Sequence, residues 1–577
     1  MTTVESRTAL VHIGTIDEVR AKSPLVETVG RRTVVIWVTQ DGIFALDNRC
    51  PHMGFPLNRG TVRDGILTCH WHHAKFDLAG GCTFDPFADD VAAFRVEIRD
   101  GQVYVDPTPL EGDRRAHWLA KLDEGLEQQI SLVLAKSVVG LSEFDASKEL
   151  LSKAALFGVR NRAAGWSAGL SILTAMASVQ PVLDAADRPR ALYHGLVHVA
   201  RNTAGQPPDF DLQPLATNER RPEVYRAWFR RFIETRSQAP AERCLRTAIR
   251  IGLQPAQVAD MIFAACTDHL FLDEGHALDF ANKAFELLDH IGWEHAEDVL
   301  PSLIPVLVAA QRMEESSSWQ HPVDLPHLLR EADARFETAL AEGAERHPGW
   351  AGHRALADQV LDGEPAASLD AILAAVREGA PLTALSATIA YAAARRAVHF
   401  HVSNEFGDWD TVHHTFTYAN AVDQAMRRAP SRELARAIFD GAMAVYLDRF
   451  LNVPKQPLPK PNGVVADADA LLAEFDRQQR VDETAAIVAS MLRDGRHQEA
   501  IALLGHALLR EDAGFHQFQI YEAAVRQFGN FKGTPEGDEI LIGAARFLTA
   551  HAPTVRATGQ TYQIALRLHR GEALEVD

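Results

Sequence analysis

The sequence predicts a multidomain α and β chain: a small antiparallel β domain over residues 1–110, then a large all-α domain over residues 111–577. Three observations carry this reading. Asp-Gly pairs (Asp41-Gly42, Asp64-Gly65, Asp100-Gly101) stand between short β-branched and apolar runs, the pattern of strand, tight turn and strand. Beyond about residue 115, apolar residues recur at spacings of three and four, the period of amphipathic helices. Pro107, Pro109 and Gly112 between the two textures read as a linker.

Taken in order, Arg32–Thr39 and Ile43–Asp47 pair across Asp41-Gly42. Asp64-Gly65 leads into Ile66–Cys69, and Asp100-Gly101 joins Phe94–Arg99 to Gln102–Val105. Helical windows follow at Ser167–Ser178, Arg190–Ala200, Pro255–Ile291, Pro381–His399, Thr411–Arg428, Arg432–Leu451 and Ala485–Arg510. Val453–Gly463 holds four prolines and cannot be helix, so a loop or a subdomain break at 452–465 fits there. No repeat of fixed period is present, which argues against a regular solenoid.

Composition narrows the class. Of 577 residues, 47% are hydrophobic and 23% charged, a globular balance. The formal charge of −19 repels phosphate, so nucleic acid is not an expected partner. No apolar run is long enough to span a bilayer, and Met1–Leu10 lacks the apolar core of a secretion signal. The expectation is a soluble cytoplasmic protein without a membrane partner. Five scattered cysteines do not form a disulfide framework.

The motif with the most chemistry is a pair of Cys-His steps. Cys50-Pro51-His52 follows one predicted strand, and Cys69-His70-Trp71-His72 follows another. Two thiolates and two imidazoles from two loop tips fit a [2Fe–2S] centre with cysteines on one iron and histidines on the other. A structural zinc site is the alternative, though it more often uses close Cys-x-x-Cys pairs. Over residues 8 to 106 the sequence resembles the Rieske family, through Cys50, His52, Cys69 and His72, with Gly54 and Phe76–Gly81 in the surrounding loops. The resemblance implies a [2Fe–2S] cluster on those four residues, with His70 and His73 as non-ligands. His73 and Ala74 depart from the Gly and Trp usual after the last ligand in ring-hydroxylating relatives.

Such a cluster moves one electron and makes no substrate pocket. No Gly-x-Gly-x-x-Gly follows a strand, so electrons are expected from a separate reductase or ferredoxin. The acceptor is sought among the histidines, 20 of 25 of which follow residue 110. His194 and His198 lie four apart on one helical face, as chelating pairs do. His269, His276, Lys283 and His290 recur every seven residues, unless Gly275 breaks the helix. His399 and His401 end one helix, His413 and His414 open the next, and His506 and His516 bracket Glu511 and Asp512. Single helical histidines such as His295, His327 and His497 read as ordinary surface or hydrogen-bonded residues.

Tyr193–His198 and His413–Thr417 resemble segments of the questin oxidase-like proteins, helical oxygenases of aromatic polyketides thought to use non-haem iron. That resemblance implies His198 and His414 as ligands; His194, His276 and His399 are added on their chemistry. The first functional reading is therefore an oxidoreductase, a Rieske-coupled non-haem iron oxygenase acting with O₂ on a small organic substrate, aromatic or polyketide in kind. Glu405, Asp408 or Asp410 would add a carboxylate, and Trp409, Phe416, Tyr418 and Phe400 are candidate pocket walls. A homo-oligomer, with one chain's cluster serving its neighbour's iron, is compatible with this. The second reading is an electron carrier or redox sensor with a helical docking scaffold; metal in the helical domain separates the two.

Overall fold

The computed structural model describes residues 10–110, 112–346, 349–461 and 466–572. The start of the chain before residue 10, His347 and the end of the proline-rich segment at 462–465 lie outside the described residues.

Nine strands form the β region: β1 (Val11–Thr15), β2 (Leu25–Val29), β3 (Arg32–Val38), β4 (Ile43–Asp47), β5 (Thr61–Arg63), β6 (Ile66–Thr68), β7 (Lys75–Asp77), β8 (Ala93–Arg99) and β9 (Gln102–Pro109). They make a six-stranded sheet in the order β1-β9-β8-β4-β3-β2 and a three-stranded sheet β5-β6-β7, all pairs antiparallel. The predicted turns hold. Asp64 and Gly65, like Asp100 and Gly101, both take positive φ, as a two-residue turn matched to strand twist requires. β3 is buried on both faces. Val34 and Ile36 join one core with Val103 and Val105, while Val35 joins a second with Leu67, Phe76, Cys50 and Cys69. The two cysteines thus sit inside a packed core, where small sulfur-bearing side chains fit without strain.

The rest is helical, as the apolar periodicity predicts. Two compact units result: residues 1–150 with 558–577, and residues 151–557. The first unit is larger than the β module of residues 1–110. It includes helices Arg114–Gln128 and Ser131–Ser142 and most of the last helix, Ala557–His569. The chain does not divide at 452–465. Among the described residues, no helix is long and apolar enough to cross a membrane.

In the second unit, helix Phe406–Arg428 is central. It packs against Leu382–Val398, Arg432–Asp448, His276–Ile291 and Phe515–Asn530. The window 255–291 is two helices, because Gly275 takes φ +92° and caps the second one. His269, His276, Lys283 and His290 are therefore no continuous stripe. His269 pairs with Glu314, and Lys283 with Glu286 and Glu522. His290 lies 3.0 Å from the Ser178 hydroxyl.

Candidate metal centres

In the first unit, two loops meet. Cys50-Pro51-His52 leaves β4, and the Cys50 N–H donates to Phe55 O at 2.8 Å while Gly54 N–H returns to Cys50 O at 2.7 Å. Cys69–His72 leaves β6, and Cys69 N–H donates to Ala74 O at 2.9 Å. Gly54 and His73 take positive φ, which turns each loop back on itself. The loops bring the rings of His52 and His72 to a centroid distance of 4.7 Å.

The two thiols share a hydrogen bond. Cys69 is held down at about 6, first by its hydrogen bond with Cys50 and then by the N–H groups of Trp71 and His72. Cys50 is pushed up by the same partner and by burial, against the N–H groups of His52 and Met53. Backbone N–H groups directed at both sulfurs suit anionic sulfur, and hydrogen bonds to sulfur tune a cluster's potential. Burial, with the Lys136 charge next, lowers His52 to about 4, the neutral state a ligand needs. His52 Nδ1 is buried and has no hydrogen-bond partner. That orphaned atom beside two thiols fits a metal bond at this position. The cysteines are buried while His72 is exposed, so a histidine edge faces outward.

Lys136 was not singled out by its sequence context. From helix Ser131–Ser142 its Nζ donates to Pro51 O at 2.6 Å and pairs with Asp89 at 3.1 Å, both side chains at or below 10% exposure. A buried ammonium thus braces the loop that carries Cys50 and His52.

In the second unit, His276, His414 and His516 come together, each offering a nitrogen within 4.8 Å of the others. His276 opens helix His276–Ile291, and His516 lies in the first turn of Phe515–Asn530. His414 stands on the central helix. The segment before His276 is strained: Phe271, Asp273 and Glu274 take φ of 43°, 55° and 55°. Non-glycine residues there cost on the order of 1–3 kcal/mol each, and such strain gathers at functional sites. It delivers Glu274 to His414, Oε2 to Nδ1 at 3.3 Å. On the far side, Asp410 Oδ1 lies 2.9 Å from His516 Nδ1. The remaining nitrogens, His414 Nε2 and His516 Nε2, face each other at 3.0 Å. Burial, with His414 and His516 adding to it, lowers His276 to about 3, so it too offers a neutral imidazole.

Of the five histidines proposed here from sequence, the structure gathers His276 and His414. His194, His198 and His399 belong to no such group among the described residues. His194 Nε2 lies 3.0 Å from Leu509 O, and its ring and that of His198 flank Phe518. His399 Nδ1 lies 2.8 Å from Gln456 O. Helical spacing paired His194 with His198, but their nitrogens are taken up locally. His516 was noted only beside Glu511 and Asp512; Gly514 just ahead of it is the local sign that it opens a helix. Of the proposed carboxylates, Asp410 reaches the site, while Glu405 and Asp408 cap the central helix.

His414 and Glu274 also line a cavity of about 430 Å³. Its aromatic walls are Phe271, Trp319, Tyr446 and Phe450. Trp409, Phe416, Tyr418 and Phe400 are core residues instead; Phe400 packs edge-on against Trp409 at 4.9 Å. They read as walls because their spacing could not show which side of the central helix opens.

Comparison with known proteins bears on the first unit. The Rieske [2Fe-2S] domain family profile matches residues 9–95. Human (Homo sapiens) apoptosis-inducing factor 3 is 37% identical over 91 residues, 15% of this chain and 15% of that protein. The anthranilate 1,2-dioxygenase ferredoxin subunit of Burkholderia cepacia is 30% identical over 95 residues, 16% of this chain and 88% of that protein. The oxygenase component of dicamba O-demethylase from Stenotrophomonas maltophilia is 28% identical over 104 residues, 17% of this chain and 31% of that protein. A small antiparallel β domain with two Cys-His loops at one end is an iron–sulfur electron-transfer module. Through residues 9–95 the chain belongs to the Rieske [2Fe-2S] family, and the domain implies that cluster. The matched part spans 15% of the length of apoptosis-inducing factor 3.

Proposed function

We propose that this chain is a Rieske-coupled non-haem iron oxygenase. Cys50, His52, Cys69 and His72 hold the [2Fe–2S] cluster, and His276, His414 and His516 hold an iron. When bound, the cluster exchanges single electrons and the iron activates O₂ beside an organic substrate. The protein's own residues do the rest. His72 presents an exposed edge to a separate reductase or ferredoxin. Asp410 and Glu274 orient two imidazoles and leave their Nε2 atoms free for metal. The apolar cavity beside His414 takes the substrate.

The observation that carries this reading is the three-histidine cluster, one member of which, His414, lines an apolar cavity, in a chain that also has a one-electron module. Relatives of the module named as a ferredoxin subunit and as an oxygenase component support an oxygenase system. On this reading the helical unit works as the questin oxidase-like proteins do, with His414 retained as ligand and His198 replaced by His276 and His516.

The test is an iron and sulfide count on the anaerobically purified full chain. The cluster alone requires about two of each. The expected result is a further iron that His276→Ala with His516→Ala removes while the cluster's visible absorption stays. A count of two iron, unchanged by that double variant, would leave an electron carrier with a helical scaffold.

A further inference from the structure

The cavity beside His414 is apolar over most of its wall, yet one carboxylic acid is buried in it. Asp448 is 3% exposed and ends helix Arg432–Asp448. Its Oδ2 has no hydrogen-bond partner. The nearby cation does not supply one: Arg396 Nη2 donates to Leu361 O at 2.8 Å and to Val445 O at 3.1 Å. Thr415, the residue after His414, is also buried in this wall.

An unsatisfied buried oxygen costs about 1–3 kcal/mol. A carboxylate at a helix C-terminus adds to that cost, because the helix dipole is negative there. A leucine of similar size would fill the place at no such penalty. The position is costly to the fold, and it lines a cavity that also has a candidate metal ligand on its wall.

We infer that Asp448, with Thr415 beside it, is a recognition subsite for a hydroxyl or carbonyl group on an otherwise apolar organic ligand. The inference rests on the cavity being the substrate pocket of the proposed oxygenase. The remaining buried wall, with Phe271, Trp319 and Tyr446, suits a flat hydrocarbon frame. Burial, outweighing Thr415 and Arg396, pushes the Asp448 carboxyl up to about 7. Near neutral pH it can therefore donate to a carbonyl or accept from a hydroxyl. Asp448 is a specificity residue on this account, because a site with a buried polar group rejects ligands that leave it unpaired.

The experiment measures binding of two probes, 2-naphthol and naphthalene, to the full chain by calorimetry. The wild-type chain should bind 2-naphthol about tenfold more tightly, the size of effect one buried hydrogen bond supplies. Asp448→Leu should bring that ratio close to one, leave naphthalene affinity unchanged and raise the melting temperature. Asp448→Asn, which keeps polarity and volume, should retain part of the preference, and it also covers the case in which Asp448→Leu does not fold. A ratio that survives Asp448→Leu, or a wild-type chain that binds neither probe, would overturn the subsite. Metal counts separate this from the oxygenase reading: probe preference that depends on Asp448 in a chain without helical iron upholds the subsite and sinks the oxygenase.

Discussion

His414 Nε2 and His516 Nε2 stand 3.0 Å apart with a carboxylate behind each ring: Glu274 at His414 Nδ1 and Asp410 at His516 Nδ1. A carboxylate that accepts a hydrogen bond from Nδ1–H fixes the tautomer whose lone pair lies on Nε2. Two lone pairs facing at that distance repel unless a cation lies between them. Carboxylate behind histidine is the arrangement that fixes tautomer and ring orientation in metal sites.

Asp410 should therefore act on the metal without touching it. Asp410→Asn keeps the side chain's volume and removes its charge. Metal affinity of the helical site should fall by about 10- to 100-fold, read by competition with a chelator of known strength. Cluster absorption should not change.

Gly275 should matter for the same site through the backbone. It takes φ +92°, and a Cβ there would meet Tyr418 Cβ at 2.8 Å. Gly275→Ala strains the cap of the helix that begins with His276. The expected cost is about 1–3 kcal/mol, with a loss of helical-site metal. Denaturant midpoints and metal counts report it together, and a variant with wild-type values for both would show that the loop yields freely.

Lys136 should raise the potential of the first site. Its ammonium lies against the Pro51 carbonyl, and its charge is felt at His52. Lys136→Met removes a positive charge and leaves Asp89 unpaired. The cluster's reduction potential should drop by on the order of 30–60 mV, where 59 mV is tenfold for one electron. Lys136→Arg should restore most of it. Spectroelectrochemistry on the full chain gives the answer without a substrate.

Acid should destabilise the helical unit through histidines outside the metal site. Burial first, then nearby cations, holds His194 at about 3 and His198 at about 4. Unfolded histidines titrate near 6.5, so between that pH and the folded values the unfolded chain binds more protons. Stability therefore rises with pH across the window and is lost as pH falls below about 6.5. Each such group contributes at most about 1.4 kcal/mol per pH unit. His194→Gln, which keeps a donor for Leu509 O, should flatten the dependence of the urea midpoint between pH 5 and pH 7.

Local patterns in the chain were legible and distant meetings were not. Asp64-Gly65 and Asp100-Gly101 announce their turns because positive φ at both residues restricts which side chains fit. Cys50, His52, Cys69 and His72 announce a cluster because each pair lies within one loop. The helical metal site has no such locality. His414 and His516 are 102 residues apart, and only packing of the central helix against its neighbours joins them. Helical spacing favoured His194 with His198, a pair on one face, where partners across helices were needed. Lys136 was hidden for a related reason: it lies 85 residues from the loop carbonyl it holds.

Residues 558–577 group with residues 1–150, so the iron–sulfur unit is not continuous in the chain. Ala565, Leu568 and His569 line the same cavity as Pro51 and Lys136, so the iron–sulfur unit is closed by a helix that follows the whole helical unit in the sequence. A chain cut near residue 557 should therefore lose part of the wall beside Pro51 and Lys136, although the cut lies far from the cluster loops in sequence.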